Sequence, residues 1–410
     1  MLKPPAGSEG SPAPASRPSV LFLSAESPYP TVGGGPLRSA SLLEFLTQRY
    51  EVDVTLFHEE QSPDPRIYFP EGRARRISII NLPYHSKSRT ARYWRAARRG
   101  AANRPPLIDR FSGFERQVAT AVGQENYDLA IIEHIWCAPY VKQIRPQARR
   151  VFLDAHNIES VWHERVSRTG GVLQALAFRR FARACRRFEH HWLPQFDAVL
   201  VASEDDAKNA SGARTLVYPN AIPFVARPVR REEQVIVFTG NLEYQPNITA
   251  VEHFHKNIWP LLRDRVPDLV WRIAGRSPGA IAHIINGDVR VDVTGPMEDA
   301  IATLASAKVA VVPLLSGSGT RFKILEAWAA STPVISTRLG AEGLPYNAGE
   351  HLLICDDPGE FAEAVAFLLE APEARAQLGE AGRRLYESRY TWDVAWSTLD
   401  RELSSLPKTD

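Results

Sequence analysis

Short apolar runs alternate with longer stretches of helical periodicity along most of the chain. Runs of about four to eight apolar residues predict buried strands, and apolar positions three or four residues apart predict helices. In the first half, the predicted strands cover residues 20–23, 50–57, 77–82, 127–132, 150–154 and 197–201. The predicted helices there cover residues 37–49, 113–124 and 171–192, and a further helix opens at residue 203. Such alternation predicts a parallel, doubly wound α/β sheet.

A second alternating set follows in the other half of the chain. Its predicted strands cover residues 235–240, 269–275, 289–294, 309–315, 333–337 and 351–355. Its predicted helices cover residues 249–264, 301–307, 320–330, 359–370 and 373–390. A segment rich in proline and arginine, residues 223–233, separates the two sets. We therefore predict one Rossmann-like domain over residues 19–222, a linker over 223–233, and a second Rossmann-like domain over 234–388.

Two doubly wound domains of similar size predict a cleft between them. In open α/β sheets, ligands bind outside the carboxyl ends of the strands. We therefore expect the functional residues just after predicted strands, on the two walls of an interdomain cleft.

The composition is typical of a soluble globular protein. Of the 410 residues, 44% are apolar and 23% are charged, and the net charge of +2 favours no particular partner. The three cysteines are isolated in the sequence, which excludes a disulfide framework and fits a reducing compartment. Residues 1–18 predict a disordered tail without the apolar core of a signal peptide. Because no apolar run approaches the length of a bilayer span, we expect a cytoplasmic location.

The strongest candidate site follows the predicted strand at residues 309–315. Glycines there allow a tight turn with exposed amides, and Ser318 or Thr320 is placed to cap the next helix. Amides at a helix N-terminus attract anions, and Arg321 and Lys323 add positive charge. Glu326 could accept hydrogen bonds from sugar hydroxyls. An ordinary strand-to-helix connection with a Lys323–Glu326 surface pair explains the spacing equally well.

Two further candidates lie in the first half of the chain. Three glycines, residues 33–35, follow the first predicted strand and could approach phosphates or a sugar, although a structural turn is an equal explanation. Arg38 lies one turn into the next helix. His156 follows the strand at 150–154, although a lone histidine is more often a structural hydrogen-bonding group. No Asp-x-Asp motif ends a strand, so we expect no metal requirement.

The stretch from residue 72 to 108 contains no acidic residue. Its cations are Arg73, Arg75, Arg76, Lys87, Arg89, Arg92, Arg95, Arg98, Arg99 and Arg104, interleaved with Tyr84, Tyr93 and Trp94. The basic segment 73–104 could lie on an anionic membrane near a lipid-linked acceptor, or could bind an acidic or phosphorylated acceptor. A solvated loop is an equal alternative. Nucleic acid is disfavoured because no recognition motif accompanies the charge.

The order and spacing of several motifs give the chain a family resemblance. In the second half they are residues 238–247 (FTGNLEYQPN), 273–278 (IAGRSP), 293–296 (VTGP), 319–327 (GTRFKILEA), 333–337 (PVIST) and 340–343 (GAEG). In the first half they are residues 33–35 (GGG), 154–157 (DAHN) and 219–221 (PNA). The chain resembles the retaining GT-B glycosyltransferases of the family-4 type (glycosyl transferases group 1). The resemblance implies two facing Rossmann-like domains, with residues 389–410 crossing back to the first.

The resemblance also implies which residues would act. It implies sugar transfer from a nucleotide-sugar donor, a UDP- or GDP-sugar, with retention of configuration. The implied catalytic residues are His156, Arg321 and Lys323. The implied donor-binding residues are Gly34, Gly35, Arg38, Gly240, Asn241, Arg276, Ser318, Gly319, Thr320 and Glu326. The chain departs from the family at Ser318, where a glutamate is usual, at Asn241, where an arginine is usual, and at residues 246–247, where a lysine is usual.

These departures leave other functions open. A nucleotide-sugar-binding protein without turnover would tolerate the changes at Ser318 and Asn241. A nucleotide-sugar epimerase of the same fold would need acid–base carboxylates in the cleft. Within the main interpretation, the acceptor is a glycan, a lipid-linked molecule or another small acceptor, as in bacterial polysaccharide synthesis.

Overall fold

The computed structural model describes residues 17–31, 33–84, 88–167, 172–210, 212–285, 287–297, 299–317 and 321–404. Most of the predicted N-terminal tail, residues 1–16, lies outside these ranges. Three predicted donor-binding residues, Ser318, Gly319 and Thr320, lie outside them as well, as does Lys87 of the basic segment.

The first domain is built on a parallel sheet of seven strands in the order β3-β2-β1-β4-β5-β6-β7. The strands are β1 Ser19–Ser24, β2 Glu51–Glu59, β3 Arg76–Leu82, β4 Leu129–Glu133, β5 Val151–Asp154, β6 Ala198–Val201 and β7 Thr215–Val217. The six predicted strands are confirmed, and β7 is an edge strand that the apolar pattern did not predict.

The second domain contains a parallel sheet of six strands in the order β10-β9-β8-β11-β12-β13. The strands are β8 Glu233–Thr239, β9 Val270–Ala274, β10 Val291–Thr294, β11 Ala307–Val312, β12 Val334–Ser336 and β13 Leu353–Ile354. All six were predicted from sequence. The α/β class with two doubly wound sheets is therefore confirmed.

Helices cover both faces of each sheet. In the first domain they are α1 Gly34–Thr47, α2 Arg89–Ala101, α3 Glu115–Val122, α4 Val141–Ile144, α5 Glu159–Val166, α6 Val172–Trp192 and α7 Glu204–Asn209. In the second they are α8 Gln245–His253, α9 Trp259–Arg265, α10 Ala282–Ile285, α11 Ala300–Ser306, α12 Phe322–Ala329, α13 Pro358–Glu370 and α14 Pro372–Arg389. A last helix, α15 Trp392–Ser404, follows them. Short 3-10 turns connect several of them.

The central strands read as continuous apolar runs because helices bury both of their faces. In β1, every residue from Val20 to Leu23 is fully buried, and so is Val309 in β11. In the second domain, Trp259, Trp271 and Trp328 fill a single large core. Rigid sheets with buried strands hold the strand ends in place, and those ends carry the candidate site.

Two predicted helices differ from the structure near the cleft. The helix predicted at 249–264 begins earlier, at Gln245, and a π-turn at Phe254–Ile258 separates α8 from α9. Pro260 explains the interruption, because its ring nitrogen cannot donate the helical hydrogen bond. The helix predicted at 320–330 begins at Phe322, and Arg321 occupies the N-cap, where its side chain makes no capping hydrogen bond to the helix. The predicted capping by Ser318 or Thr320 therefore does not describe this helix start.

The last helix, α15, packs on the first domain rather than on the second. Ala395 and Leu399 are buried within the first domain's core. Trp396 Nε1 donates to the main-chain oxygen of Ser41 at 3.0 Å. Arg49 and Asp400 form an ion pair at 3.0 Å. Because α15 follows α14 of the second domain in the chain, it joins the two domains.

Candidate functional site

A cleft of about 640 Å³ lies between the carboxyl edges of the two sheets. Ten predicted site residues line it: Gly34, Gly35, Arg38, His156, Gly240, Asn241, Arg276, Arg321, Lys323 and Glu326. The other three, Ser318, Gly319 and Thr320, lie outside the part of the chain that the structure describes. The adjoining Gly317 and Arg321 are described, and Arg321 faces the cleft. The predicted residues of both halves are thus brought to one place.

Lys323 is the cation placed best for an anionic ligand. It lies in the first turn of α12, where helix amides and the helix dipole also favour negative charge. Its Nζ donates to Asn247 Oδ1 at 2.8 Å and lies 4.1 Å from the ring centre of Phe238. Burial lowers the pKa of Lys323 to about 7, and the nearby Arg321 charge acts in the same direction. A bound phosphate would restore the charged ammonium.

Glu326 lies three residues further along the same helix face as Lys323. Burial raises the pKa of its carboxyl to about 7, against the attraction of Lys323. Both groups are half-buried on the cleft wall. A cation and a carboxylate one helical turn apart can bind a phosphate and a neighbouring pair of hydroxyls, respectively. The alternative of a solvated Lys323–Glu326 surface pair does not match this burial.

The guanidinium of Arg321 is directed at main-chain carbonyls. Its Nη2 donates to Gly317 O at 3.2 Å and to Leu339 O at 3.0 Å, and the side chain is buried. Burial lowers the pKa of Arg321. These bonds connect the turn before α12 to the loop after β12. Arg321 therefore shapes the turn, in addition to lining the cleft as predicted.

Arg38 forms an ion pair within the first domain. Its guanidinium forms a bidentate ion pair with Asp154, with Nη2 to Oδ1 at 2.7 Å and Nε to Oδ2 at 2.8 Å. Its Nη1 donates to Tyr218 O and to Asn220 Oδ1. Both partners of the ion pair are almost fully buried. Asp154 balances the charge of Arg38 and holds its side chain in the cleft wall, and the donor-binding role of Arg38 stays a prediction.

The glycines of the site allow close approach of main chains. A Cβ at Gly34 would lie 2.8 Å from Phe322 Cε2, across the interdomain cleft. A Cβ at Gly35 would lie 2.4 Å from Glu26 Oε1. A Cβ at Gly275 would lie 1.7 Å from the main-chain oxygen of Gly240. The glycine run at 33–35 is thus more than a turn, because it brings the first domain against α12.

His156 forms part of a histidine pair on the first domain's wall. Its ring stacks on His134, with ring centres 3.7 Å apart and planes 26° apart. Both residues have positive φ angles, 58° and 65°, which are uncommon for histidine. His134 also lies 3.7 Å from Glu26 Oε1. Burial alone would lower the pKa of His134, but the Glu26 carboxylate raises it overall.

Sequence reasoning missed several residues of the site. His134 directly follows β4, as His156 nearly follows β5, so its position after a strand was an available signal. Asn247 holds Lys323 and donates from Nδ2 to Asn241 O at 2.8 Å. Asn241 itself accepts from the Glu243 amide through Oδ1. No sequence pattern indicates these side-chain bonds.

Three buried residues on the first domain's wall meet the distance requirement for metal ligands. One ligand atom each from Glu133, Asp154 and His156 lies within 4.8 Å of the others. Asp154 is already paired with Arg38, whose charge opposes a cation there. The expected absence of a metal requirement stays a prediction.

The described part of the basic segment 73–104 is mostly strand and helix rather than loop. It contains β3 and α2, and several of its cations are paired with carboxylates outside it. The pairs are Arg73–Glu44, Arg75–Asp53, Arg76–Asp53, Arg99–Asp109 and Arg104–Asp109. On α2, Tyr93 is 78% exposed and Trp94 is 75% exposed. Two adjacent exposed aromatic side chains on a basic helix make α2 an unusual surface element.

Among the described residues, no helix combines the length and apolar character needed to cross a bilayer.

Comparison with known proteins supports a sugar-transfer function for the second domain. Residues 233–371 match the family model described as glycosyl transferases group 1. An uncharacterized 44.6 kDa protein in the cps region of Klebsiella pneumoniae is 22% identical over 84% of this chain and 89% of its own length. The family match covers the strands and helices that carry Lys323 and Glu326.

Solved structures share the architecture of both domains. Sucrose-phosphate synthase from Thermosynechococcus elongatus superposes with a TM-score of 0.71 at 18% identity, over 94% of this chain and 99% of that chain. HepE from Anabaena, solved in complex with UDP and glucose, gives a TM-score of 0.62 at 15% identity, over 95% of this chain and 100% of that chain. These likenesses establish the GT-B fold predicted from the sequence.

Proposed function

We propose that this protein is a nucleotide-sugar-dependent glycosyltransferase of the family-4 type, which transfers a sugar with retention of configuration. The donor is a UDP- or GDP-sugar, and the acceptor is a glycan, a lipid-linked molecule or another small acceptor. The observation that carries the proposal is the pair Lys323 and Glu326 on one face of α12, facing an interdomain cleft. HepE, a neighbour of the same fold, was solved with UDP and glucose.

In the proposed complex, the diphosphate lies at the start of α12. Helix amides and the Lys323 ammonium would balance the charge that develops on the departing nucleotide. Glu326 would accept hydrogen bonds from the ribose hydroxyls. Because Lys323 has a pKa of about 7 in the free protein, diphosphate binding would draw a proton onto its amine.

The acceptor would occupy the first domain's side of the cleft. Acceptor deprotonation by a diphosphate oxygen on the same face of the sugar would give retention, as the family resemblance suggests. His156 would contact the donor sugar from this wall. This arrangement needs no carboxylate nucleophile and no metal ion.

We also propose peripheral contact of the basic segment 73–104 with an anionic membrane. The support is α2, where exposed Tyr93 and Trp94 accompany the exposed cation Arg98. Co-sedimentation with vesicles of phosphatidylglycerol and phosphatidylcholine tests the contact. Tyr93→Ala with Trp94→Ala should reduce the bound fraction. If the wild-type protein and this double variant sediment with the vesicles to the same extent, α2 is not part of the membrane contact.

A panel of nucleotide sugars tests the activity. UDP-, GDP- and ADP-sugars are incubated with the protein, with and without a mixture of glycan and polyprenyl-phosphate-linked acceptors, and nucleotide release is measured. We expect release with one donor class and faster release with acceptor. Glu326→Ala should slow release at low donor concentration, while Glu363→Gln, at an exposed position on α13, should leave it unchanged. Tight binding without release would instead favour a nucleotide-sugar-binding protein.

A further inference from the structure

Two buried polar atoms on the first domain's wall, one from Glu133 and one from His156, face each other. Glu133 ends β4, and His156 follows the neighbouring parallel strand β5. Glu133 Oε1 and His156 Nε2 are 3.5 Å apart. Glu133 is fully buried and His156 is 8% exposed. Among the described residues, neither of these two atoms has a hydrogen-bond partner.

The two atoms are complementary. A buried polar atom left without a hydrogen bond costs about 1–3 kcal/mol. An ionised carboxylate can only accept, whereas one nitrogen of an imidazole can donate. Hydrogen bonds of functional sites are often long in the free protein and shorten with ligand. A small movement of either side chain would therefore satisfy both Glu133 and His156.

The second neighbour of His156 Nε2 is also an acceptor. Asp154 Oδ2 lies 3.5 Å from it. Burial alone would raise the pKa of Asp154, but Arg38 and the nearby imidazoles outweigh burial and lower it. A carboxylate oxygen therefore lies on each side of Nε2, so a proton on this ring nitrogen would face two acceptors.

Other contacts fix the orientation of this pair. Ser24 Oγ donates to Glu133 Oε2 at 2.6 Å, which directs the other carboxylate oxygen toward His156. The His134 ring stacks on the His156 ring and limits its rotation. Residues from β1, β4 and β5 thus hold one imidazole at the edge of the cleft.

We propose that Glu133 is a positioning residue that holds a proton on Nε2 of His156 and fixes the ring against the cleft wall. Nδ1 is then the ring nitrogen available to a hydroxyl group of the bound sugar. Glu133 itself touches no substrate. The kinetic consequence rests on the proposed function, whereas the pairing of Glu133 with His156 does not.

Nuclear magnetic resonance tests the pairing without turnover. In protein with ¹⁵N-labelled histidine, we expect a proton on Nε2 of His156 that exchanges slowly with water, assigned by its loss in His156→Asn. Glu133→Met removes the acceptor and should speed this exchange. Glu133→Gln can turn its amide oxygen toward Nε2 and should largely restore the protection. A wild-type protein without a protected Nε2 proton would overturn the proposal.

Kinetics test the positioning role. Misplacement of a functional group by about 1 Å can cost up to about 100-fold in rate. We expect Glu133→Met to lower kcat by about 10- to 100-fold with a smaller change in donor KM, and Glu133→Gln to recover much of the loss. Glu189→Met makes the same change at another buried carboxylate, which accepts from the Ser160 amide, and should keep kcat. An unchanged kcat in Glu133→Met would refute the role.

These experiments distinguish a failure of the Glu133–His156 pairing from a failure of the proposed function. If Glu133→Met does not fold, the wild-type Nε2 proton and the Glu133→Gln variant still decide the pairing. If wild-type protein transfers no sugar, the proposed function fails while the resonance experiment keeps its meaning. Elemental analysis provides a further check, because one equivalent of a divalent metal, lost in Glu133→Gln, would place a metal on Nε2 and overturn the proposal.

Discussion

Replacing Lys323 by methionine tests the proposed diphosphate site most directly. Methionine keeps an unbranched apolar chain over the Phe238 ring and removes the ammonium that contacts Asn247. A hydrogen bond to a charged group contributes about 1.5–3 kcal/mol. Its loss should therefore raise the Kd for a nucleoside diphosphate by about 10- to 150-fold. Calorimetric titration with UDP, GDP and ADP, without added metal, measures the change for whichever binds best.

The pH dependence gives a second signature of the same residue. Because the pKa of Lys323 is about 7 in the free protein and an anion favours the charged amine, binding takes up a proton. Between pH 7.5 and 9.5, Kd should rise by up to about tenfold per pH unit. Glu326, whose pKa is also about 7, is already ionised over most of this range and adds little slope. Lys323→Met should show a nearly flat profile.

As pH decreases, diphosphate binding should strengthen, whereas the contribution of Lys323 to the stability of the free protein should become less favourable. The pKa of Lys323 falls from 10.5 to about 7 on folding, so this residue destabilises the fold increasingly as pH decreases through that interval. Lys323→Met removes this penalty, and the Tm of the free protein at pH 7.5 should stay the same or rise. Lys256→Met, at an exposed position, serves as the matched control for binding and slope. If the Kd of Lys323→Met is within threefold of the wild-type value and has the wild-type pH dependence, the proposed diphosphate site is refuted.

Three further predictions concern the walls of the cleft. Glu326→Ala should raise the donor KM by about tenfold or more, because the ribose hydroxyls lose their acceptor; an unchanged KM would exclude contact. Arg38→Met should lower the free energy of unfolding in urea by about 3–5 kcal/mol by leaving Asp154 buried and unpaired, and a loss below 1 kcal/mol would contradict a structural role. Gly34→Ala should lower kcat/KM, since its Cβ would meet Phe322 at 2.8 Å, whereas Gly100→Ala, with open space around it, should not.

Much of the fold could be predicted because each strand and helix carries its own local signal. Buried parallel strands such as β1 and β11 read as continuous apolar runs, since both faces are covered. Helix starts with a local cap were also readable: Ser203 accepts from the Asp206 amide at the start of α7. The starts of α8 and α12 were placed less well. Arg321, the N-cap of α12, donates to Gly317 O and Leu339 O, so the start of this helix depends on contacts outside the helix itself.

In the cleft, too, residues with a local sequence signal could be predicted, whereas contacts between distant residues could not. Lys323 and Glu326 could be chosen from sequence, because their spacing on one helix after a glycine turn is a local property. The ion pair of Arg38 could not be predicted, because its partner, Asp154, is 116 residues away. His134 and Glu133 gained importance only when β4 and β5 were paired in the sheet.

The amino-acid sequence by itself determined the order of strands and helices, the two-domain α/β class and the helix that carries Lys323 and Glu326. These follow from periodicity and spacing within about 20 residues, over which side chains on one element share a face. Only the tertiary structure decided which charges are free to meet a ligand. That outcome depends on which distant strand ends become neighbours, because a buried charge pairs with the nearest opposite charge in space rather than in sequence.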